Sequence, residues 1–358
     1  MTSPFTYSFP CSSSPKNWTV SFEIDKKIWL FENCDGPYKT ACFDTTTKTW
    51  MHQSATNKHN HFGIRNKHRH VSSAVLNGKG YVWGQNELME FDPVTQIWRN
   101  TGHMFRNPGF ENNVRDIVQM GDCLYTCIVE TGNRRLPYFL TLNMQTGERT
   151  AQDVNLAFNV PHIPSVMYVT YPIRLFAYNN TIYFNIQEDI FALSGPVGAS
   201  FEAIPTVGGN YRRSMGFNSC ATIGNLVYFY QRQDREEIIR VLNIDTFKWT
   251  SIHLENPQRH LPFHLYEILA VDEVLYMLWE NDRQHGIAMI EPKPSLSTIC
   301  LLTLANQFTE DPTIRRKLRP GYPVHAIDYQ PYIEFKQQFP WPLIEKFDNL
   351  IQWRKEIR

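Results

Sequence analysis

Arginine, serine and histidine side chains recur along this chain at positions where they could together bind an acidic group. These candidates are Arg69, Ser72, Arg115, Arg174, Arg212, Arg213, Ser219 and His264. A guanidinium group offers parallel N–H donors to a planar oxyanion, so arginines beside hydroxyl groups suit a carboxylate or an acidic peptide. The alternative is that each arginine pairs with a neighbouring acid or caps a strand end. The choice depends on whether the fold brings these positions together.

Motifs that would give the chain a reaction of its own are missing from the sequence. It has no G-x-S-x-G nucleophile turn, no phosphate loop of the G-x-x-x-x-G-K type and no H-E-x-x-H motif. The adjacent carboxylates Glu236 and Glu237 stand beside Arg235 and need no acid–base role. We therefore expect neither enzymatic activity nor a cofactor.

A group of histidines raises the possibility of a metal site. Its members are His52, His59, His61, His68 and His70. No pair of them has the i, i+4 helical context of a known zinc motif, and no cysteine or acidic ligand accompanies them. A solvated loop is the better interpretation, and we expect no metal.

Composition narrows the classes of partner and the compartment. The 358 residues include 35 basic and 35 acidic ones, a formal charge of zero that offers no overall attraction to nucleic acid or to an anionic membrane. Seven scattered cysteines form no C-x-x-C pair, which indicates a reducing compartment. Neither a secretory signal in residues 1–11 nor an apolar run of roughly 20 residues is visible. We expect a cytoplasmic or nuclear protein without nucleic-acid or membrane partners.

The elements that would position the candidate side chains come from an internal repeat. In its clearest unit, residues 72–98, Asn77-Gly78 is a two-residue turn between strands a and b. Asp92-Pro93 starts a second turn, after which residues 95–98 are predicted as strand d. The a–b turn recurs as Asp25-Lys26, Gly121-Asp122, Asn179-Asn180, Gly224-Asn225 and Asp272-Glu273. Six units with a period of about 50 residues predict six four-stranded blades.

The repeat resembles the kelch family over roughly residues 17–292. The resemblance is carried by Arg69-His70, Ala74-Val75, Tyr81-Val82, Gly84, Phe91-Asp92 and Trp98. Of the double glycine that kelch repeats have after strand b, only Gly84 is present in this unit. The resemblance implies an all-β fold, a six-bladed kelch-type β-propeller, here with a short C-terminal helical extension. Long segments between strands d and a, and between b and c, would emerge on one face, which we expect to bind a ligand.

The sixth unit needs a strand from elsewhere in the chain. Pro292 and Pro294 follow its third strand and block an ordinary fourth one. Tyr7 and Phe9 alternate with polar residues, so the N-terminus is predicted to supply that strand. The predicted domains are a closing strand in residues 1–16, a propeller in 17–292 and a helical tail in 293–358.

The tail contains a motif that favours docking on another protein. In residues 295–304, SLSTICLLTL, a helix would place Leu296, Cys300 and Leu304 on one apolar ridge. The stretch resembles the elongin-binding box of cullin–RING substrate receptors, with a Ser, then Leu, three residues, Cys, three residues and an aliphatic residue. The alternative is an amphipathic helix packed under the propeller.

A second stretch resembles the box that selects the cullin in this family. Residues 339–347, FPWPLIEKF, fit both of its known forms, so the cullin is left open. The residues that carry this resemblance are Phe339, Pro340, Pro342, Leu343 and Phe347. The two boxes imply a substrate-recognition subunit of an elongin–cullin–RING ubiquitin ligase, with elongin B/C and a cullin–RING scaffold as partners. Its propeller would bind a protein or peptide target, and related kelch receptors bind C-termini. The alternative is a non-enzymatic kelch protein-interaction scaffold, a cytoskeletal or signalling adaptor.

Overall fold

The fold is known from a computed structural model of the chain. It describes residues 5–11, 18–32, 38–56, 73–83, 87–104, 111–131, 138–153, 173–186, 189–193, 201–208, 219–233, 236–253, 264–280 and 285–291. Within these ranges the regular elements are all β-strands. In chain order they are β1 (Phe5–Cys11), β2 (Trp18–Ile24), β3 (Lys27–Glu32), β4 (Tyr38–Asp44), β5 (Thr49–Thr56), β6 (Ser73–Leu76), β7 (Lys79–Trp83), β8 (Glu87–Asp92), β9 (Ile97–Met104), β10 (Glu111–Met120), β11 (Cys123–Thr131), β12 (Tyr138–Asn143), β13 (Arg149–Asp153), β14 (Ile173–Tyr178), β15 (Thr181–Ile186), β16 (Asp189–Leu193), β17 (Phe201–Ile204), β18 (Ser219–Ile223), β19 (Leu226–Gln233), β20 (Glu236–Asn243), β21 (Lys248–His253), β22 (His264–Val271), β23 (Val274–Glu280) and β24 (His285–Glu291).

These strands form six four-stranded sheets, the blades of a propeller. Blades 1 to 5 are the consecutive sets β2–β5, β6–β9, β10–β13, β14–β17 and β18–β21, and blade 6 has the order β1-β24-β23-β22. The first strand of each blade, strand a, contacts strand a of the next blade, and β22 contacts β2. The ring is therefore closed, and the predicted six-bladed β-propeller is confirmed.

Blade 6 combines the two ends of the propeller. Strand β1 pairs antiparallel with β24, in a register that runs from Phe5 opposite Glu291 to Cys11 opposite His285. The strand predicted around Tyr7 and Phe9 is thus present at the edge of the sixth sheet. Residues 292–358 lie outside the described residues, and the boundaries of the predicted domains stay predictions.

The a–b turns show why short polar residues and glycine recur between strands a and b. All six predicted turns are present as two-residue turns. In the turn of blade 2 both Asn77 and Gly78 have positive φ angles, of 52° and 70°. Asn and Gly adopt this left-handed region at low cost, and such turns match the twist of paired strands. The turn chemistry therefore fixes the register of each inner hairpin.

The described c–d turns of blades 1, 2, 3 and 5 share one hydrogen-bond pattern. In blade 2, Asp92 Oδ1 accepts the backbone N–H of Val94 at 2.8 Å and of Thr95 at 3.1 Å. The same pattern is formed by the equivalent residues Asp44, Asn143 and Asn243. Gln96 then takes a positive φ of 58°. Strand d of blade 2 consequently begins at Ile97, and its predicted start at Thr95 was wrong because that residue is held in the turn.

The core lies between the blades. Phe22 and Phe31 of blade 1 pack against Phe91 and Trp98 of blade 2, with ring centroids 4.8 to 6.0 Å apart. Comparable buried clusters join blades 2 and 3, 3 and 4, 4 and 5, and 5 and 6. Across the closing seam, Lys48 Nζ of blade 1 donates to the hydroxyl of Tyr276 of blade 6 at 2.5 Å. The blades therefore form one packed ring that holds the strands a around a central axis.

Candidate functional site

The strands a of blades 2 to 6 surround a cavity of about 420 Å³ on the propeller axis. Main-chain and side-chain atoms of β6, β10, β14, β18 and β22 form its wall. The polar residues of this wall include Ser73, Asp116, Gln119, Arg174, Ser219 and Glu267. We call this space the central channel, and it is the candidate binding site.

Asp116 and Arg174 form an ion pair in the wall of the channel. Arg174 NH1 lies 3.7 Å from Asp116 Oδ1, and their side chains are 15% and 9% exposed. Asp116 Oδ1 also accepts the backbone N–H of Ile117 at 3.0 Å, and Oδ2 accepts that of Leu175 at 2.7 Å. The backbone N–H of Arg174 is bound in turn by Asn185 Oδ1 at 3.0 Å. The carboxylate of Asp116 is thus compensated by one cation and two backbone donors, as a buried charge must be.

Ser219 and Glu267 form a second polar pair, on the wall between blades 5 and 6. The Ser219 hydroxyl donates to Glu267 Oε1 at 2.5 Å and accepts the backbone N–H of Ile268 at 3.0 Å. Ser219 is buried. Its hydroxyl therefore fastens β18 to β22 and orients the Glu267 carboxylate in the channel wall.

Cys220 lies next to these pairs but is not a reactive thiol. Its Sγ donates to the backbone carbonyl of Leu175 at 3.6 Å, across blades 4 and 5. Burial, reinforced by the negative charge of Asp116, raises the pKa of the Cys220 thiol well above its usual range. The thiol stays protonated at neutral pH and acts as a small apolar group with a weak donor.

Two of the eight predicted ligand residues, Arg174 and Ser219, lie in the channel wall. Arg115 belongs to β10 and His264 to β22, with side chains that are not described. The other four, Arg69, Ser72, Arg212 and Arg213, lie outside the described residues. So do all the predicted elongin- and cullin-binding residues, namely Leu296, Cys300, Leu304, Phe339, Pro340, Pro342, Leu343 and Phe347. Arg174 does pair with a neighbouring acid, Asp116, and its binding of a ligand stays a prediction.

Sequence reasoning missed the two carboxylates of the site. Asp116 and Glu267 stand five residues before the a–b turns of their blades, as Arg174 and Ser219 do in theirs. An alignment of the repeats on these turns contains that signal. The two acids were missed because the search was for arginine and hydroxyl side chains, the donors that an oxyanion needs.

Other chemical groups give no further site in the described part of the chain. No cluster of three or more His, Cys, Asp and Glu residues there could hold a metal ion. His52 of the predicted histidine loop is in strand β5, while the other four lie outside the described residues. Cys42, Cys123 and Cys220 form no disulfide bond. No helix among the described residues is long and apolar enough to span a bilayer.

Comparisons with known proteins bear on the fold alone. No family model matches the chain, and no curated protein does. A crystal structure described as the extracellular domain of a hybrid two-component system from B. thetaiotaomicron is 14% identical, with a TM-score of 0.48; the match covers 81% of this chain and 34% of that one. An exported protein from Bacteroides fragilis is 9% identical, with coverage of 80% and 94% and a TM-score of 0.47.

A third solved structure is regucalcin, a calcium-binding protein from Agrobacterium tumefaciens. It is 8% identical, the match covers 78% of this chain and 93% of that one, and the TM-score is 0.45. Sequence identities and TM-scores this low say nothing about function, so the site has to be interpreted from its own residues.

Proposed function

We propose that this chain is a substrate-recognition subunit of an elongin–cullin–RING ubiquitin ligase. The propeller binds a peptide segment of a target protein, and the tail binds elongin C. The complex then presents the target to a cullin–RING scaffold. In this role the chain is not an enzyme itself, uses no cofactor, and works in the cytoplasm or nucleus.

The observation that carries the proposal is where the SLSTICLLTL stretch comes along the chain, directly after the last strand of the propeller. Strand β1 completes the sixth sheet, so the last blade already has four strands when the chain leaves it at Glu291. The elongin-type pattern begins four residues later, at Ser295. An amphipathic helix there is not required to finish the propeller, and its Leu296–Cys300–Leu304 ridge suits a groove on a partner.

A second sequence feature favours a ligase adaptor over an ordinary helix. A pattern like that of residues 295–304 arises by chance in a chain of this length on the order of a few per cent of the time. The FPWPLIEKF stretch of residues 339–347 provides the companion box that the same receptors carry. Pro342 would start a helix whose Leu343 and Phe347 form the next apolar stripe.

The kelch assignment of the propeller belongs to the same proposal. Its support is the sequence pattern of residues 69–98, together with a two-residue a–b turn and an Asp-led c–d turn in the same blade. The propeller supplies a rigid ring, and the central channel supplies polar side chains that converge on one space. Such a scaffold is suited to binding rather than to chemistry.

Co-purification from cells tests the proposal. The full chain should retain elongin B and elongin C, whereas Leu296→Ala/Cys300→Ala should lose both, because the double substitution removes two of three ridge side chains. Thr298→Ala is the matched control, since position 298 would lie on the opposite side of the same helix and should leave binding intact. Circular dichroism of each variant checks that the propeller is folded.

The competing function is a kelch scaffold whose tail packs on its own propeller. In that case elongin would not be retained by the wild-type chain. Leu296→Ala/Cys300→Ala would instead lower the melting temperature, because the ridge would be buried within the molecule.

A further inference from the structure

We propose that Asn77 is a site of spontaneous deamidation, where the side-chain amide is converted to aspartate and to isoaspartate. Asn77-Gly78 is the one Asn-Gly pair in the sequence. The inference goes beyond the proposed function, because it concerns a chemical change of the propeller itself and depends on neither elongin nor a target.

The reaction needs no reactant other than water. The backbone nitrogen of Gly78, after loss of its proton, attacks the side-chain carbonyl carbon of Asn77. A bond forms between these two atoms, the bond from that carbon to the amide nitrogen breaks, and ammonia leaves with the proton. Water then opens the resulting five-membered succinimide ring at one of its two C–N bonds, which gives aspartate or isoaspartate. A following glycine favours the first step because it has no Cβ beside the attacking nitrogen.

The first argument is that both reacting groups are accessible. Asn77 and Gly78 are exposed, and a Cβ placed on Gly78 would have no atom within 4 Å apart from its neighbours in the chain. The pairing of β6 with β7 ends at Leu76 opposite Lys79, so the Gly78 N–H lies outside the ladder. Solvent and base therefore reach the nitrogen that has to lose its proton.

The second argument is that no hydrogen bond within the described part of the chain holds the side chain of Asn77. Asparagines of other turns are held. Asn225 Nδ2 donates to Asp245 Oδ2 at 2.6 Å, and Asn143 Oδ1 accepts the backbone N–H of Gln145 at 2.9 Å. An amide without such a bond can rotate until its carbonyl carbon faces the next backbone nitrogen.

The third argument is that this a–b turn lacks a bond that fastens its equivalents. In blades 1, 3 and 5 the carbonyl group of the second turn residue accepts a backbone N–H from the c–d turn of the same blade, at 2.9 to 3.0 Å. These bonds run from Thr45 to Lys26, from Met144 to Asp122 and from Ile244 to Asn225. The equivalent donor in blade 2 would be Pro93, which has no N–H. The Asn77-Gly78 turn is therefore not tied in this way and can change its backbone angles, as ring closure requires.

Isoaspartate at position 77 would alter the wall of the central channel. It routes the main chain through the side-chain carbons, which adds one methylene group to the turn, and it leaves a carboxylate in place of a neutral amide. The turn sets the pairing of β6 with β7, and Ser73 and Val75 of β6 line the channel. An aged propeller should therefore be less stable and have a different channel wall at blade 2.

Peptide mapping of the full-length chain by mass spectrometry tests the inference. The folded protein is incubated at mildly alkaline pH in water labelled with heavy oxygen, so that acid groups formed during the incubation carry the label. Asn77 should be converted at least about tenfold faster than Asn180, with more isoaspartate than aspartate. Asn180 is the internal comparison, because it is also exposed and has a positive φ of 59° but precedes the β-branched Thr181.

Three variants assign the reaction to the turn. Pro93→Thr restores the backbone N–H that blade 1 has at Thr45, and should slow the conversion of Asn77 about threefold or more because a fastened turn opens less often. Val94→Ala, at the next and exposed position of the same c–d turn, is the control and should leave the rate unchanged. Gly78→Asn should slow the conversion about tenfold or more, because it places a Cβ beside the attacking nitrogen. Melting temperatures show whether each variant is folded.

Two results would overturn the inference. One is conversion of Asn77 in the wild type no faster than that of Asn180. The other is an equal rate in the wild type and in Pro93→Thr, since the missing N–H would then not matter. If Pro93→Thr does not fold, Gly78→Asn takes its place, and an equal rate there would overturn the inference. Elongin binding is measured on freshly prepared chain, so each of these results leaves the proposed function standing.

Discussion

Asp116 of blade 3 accepts a hydrogen bond at 2.7 Å from the backbone N–H of Leu175 in blade 4. Strands β10 and β14 belong to different sheets. The hydrogen bond from the Asp116 side chain therefore links two blades in the way that backbone hydrogen bonds link strands within one sheet. The Ser219 hydroxyl of blade 5 likewise accepts the backbone N–H of Ile268 in blade 6, and the Ser73 hydroxyl of blade 2 donates to the backbone carbonyl of Ser21 in blade 1. The polar residues of the channel therefore join neighbouring blades as well as giving the channel its charge.

Substitution of Asp116 should destabilise the propeller strongly. Asp116→Ala leaves the N–H groups of Leu175 and Ile117 without this acceptor and removes the partner of the Arg174 guanidinium. Breaking a buried charge network of this kind costs about 3–5 kcal/mol of unfolding free energy. Urea unfolding followed by circular dichroism measures it.

The control for that experiment is Asp122→Ala, in the exposed a–b turn of the same blade. It should change the unfolding free energy by less than about 0.5 kcal/mol. If Asp116→Ala and Asp122→Ala lowered the unfolding free energy by the same amount, the claim that Asp116 joins the blades would be wrong.

Gly80 should not tolerate a side chain. A Cβ added there would lie 2.6 and 2.7 Å from Cε2 and Cε1 of Phe22, whose ring is packed against Phe31, Phe91 and Trp98. Gly80→Ala should therefore cost about 1–3 kcal/mol, because the buried rings have to shift. Thermal or urea unfolding measures the loss.

Gly78→Asn, two residues away, is the matched control for Gly80→Ala. Gly78 has a φ of +70° and no atom within 4 Å of an added Cβ. Blade 4 already has Asn180 at the equivalent position, with a φ of 59°. The control should cost at most about 1 kcal/mol. A larger loss for Gly78→Asn than for Gly80→Ala would contradict the packing of Phe22.

The N-terminal strand should be required for a stable ring. Deleting residues 1–12 removes β1, which pairs with β24 over seven positions from Phe5 to Cys11. The outer edge of blade 6 is then lost, and we expect the melting temperature to fall by roughly 10 °C or more. Deleting residues 1–4 alone should leave it nearly unchanged. If deletion of residues 1–12 left the melting temperature unchanged, strand β1 would not be needed to close the ring.

The c–d turns should contribute a pH dependence that can be assigned to two residues. Hydrogen bonds from the backbone of Thr47 and then Thr46 lower the pKa of Asp44, and those from Thr95 and then Val94 lower the pKa of Asp92. A carboxyl group whose folded pKa is lowered stabilises the fold above its unfolded pKa of about 3.9, and this contribution disappears as the pH falls through the folded value.

Asp44→Asn/Asp92→Asn tests that assignment, because Asn143 and Asn243 make the same turn without a charge. The wild type should exceed the variant in urea midpoint at pH 6, and the difference should shrink as the pH falls below about 4. A difference that does not change with pH would mean that these carboxylates do not stabilise the turns through their charge.

The number of blades and their turns could be predicted from the sequence because they depend on local residue patterns. Asn77-Gly78 and the Asp92-led turn determine hairpins whatever surrounds them, and their recurrence gives the six units. Tyr7 and Phe9 identified the closing strand because Pro292 and Pro294 left one sheet a strand short. These features are encoded within a few residues of one another.

The channel could be predicted only in part, because its geometry depends on contacts between distant repeats. Arg174 and Ser219 were found from their residue types, which suggested an oxyanion ligand. Their partners Asp116 and Glu267 lie 59 and 48 residues away from the groups they bind, Leu175 and Ser219. Only the fold shows that these acids accept hydrogen bonds from residues of neighbouring blades.

Binding of purified elongin tests the central claim most directly. The full-length chain, mixed at about 10 µM with the purified elongin B–elongin C heterodimer, is examined by size-exclusion chromatography with light scattering. We predict a stable complex for the wild type and for Thr298→Ala, and none for Leu296→Ala/Cys300→Ala. A folded wild-type chain that elutes apart from the heterodimer would contradict the proposal that this propeller serves a ubiquitin ligase.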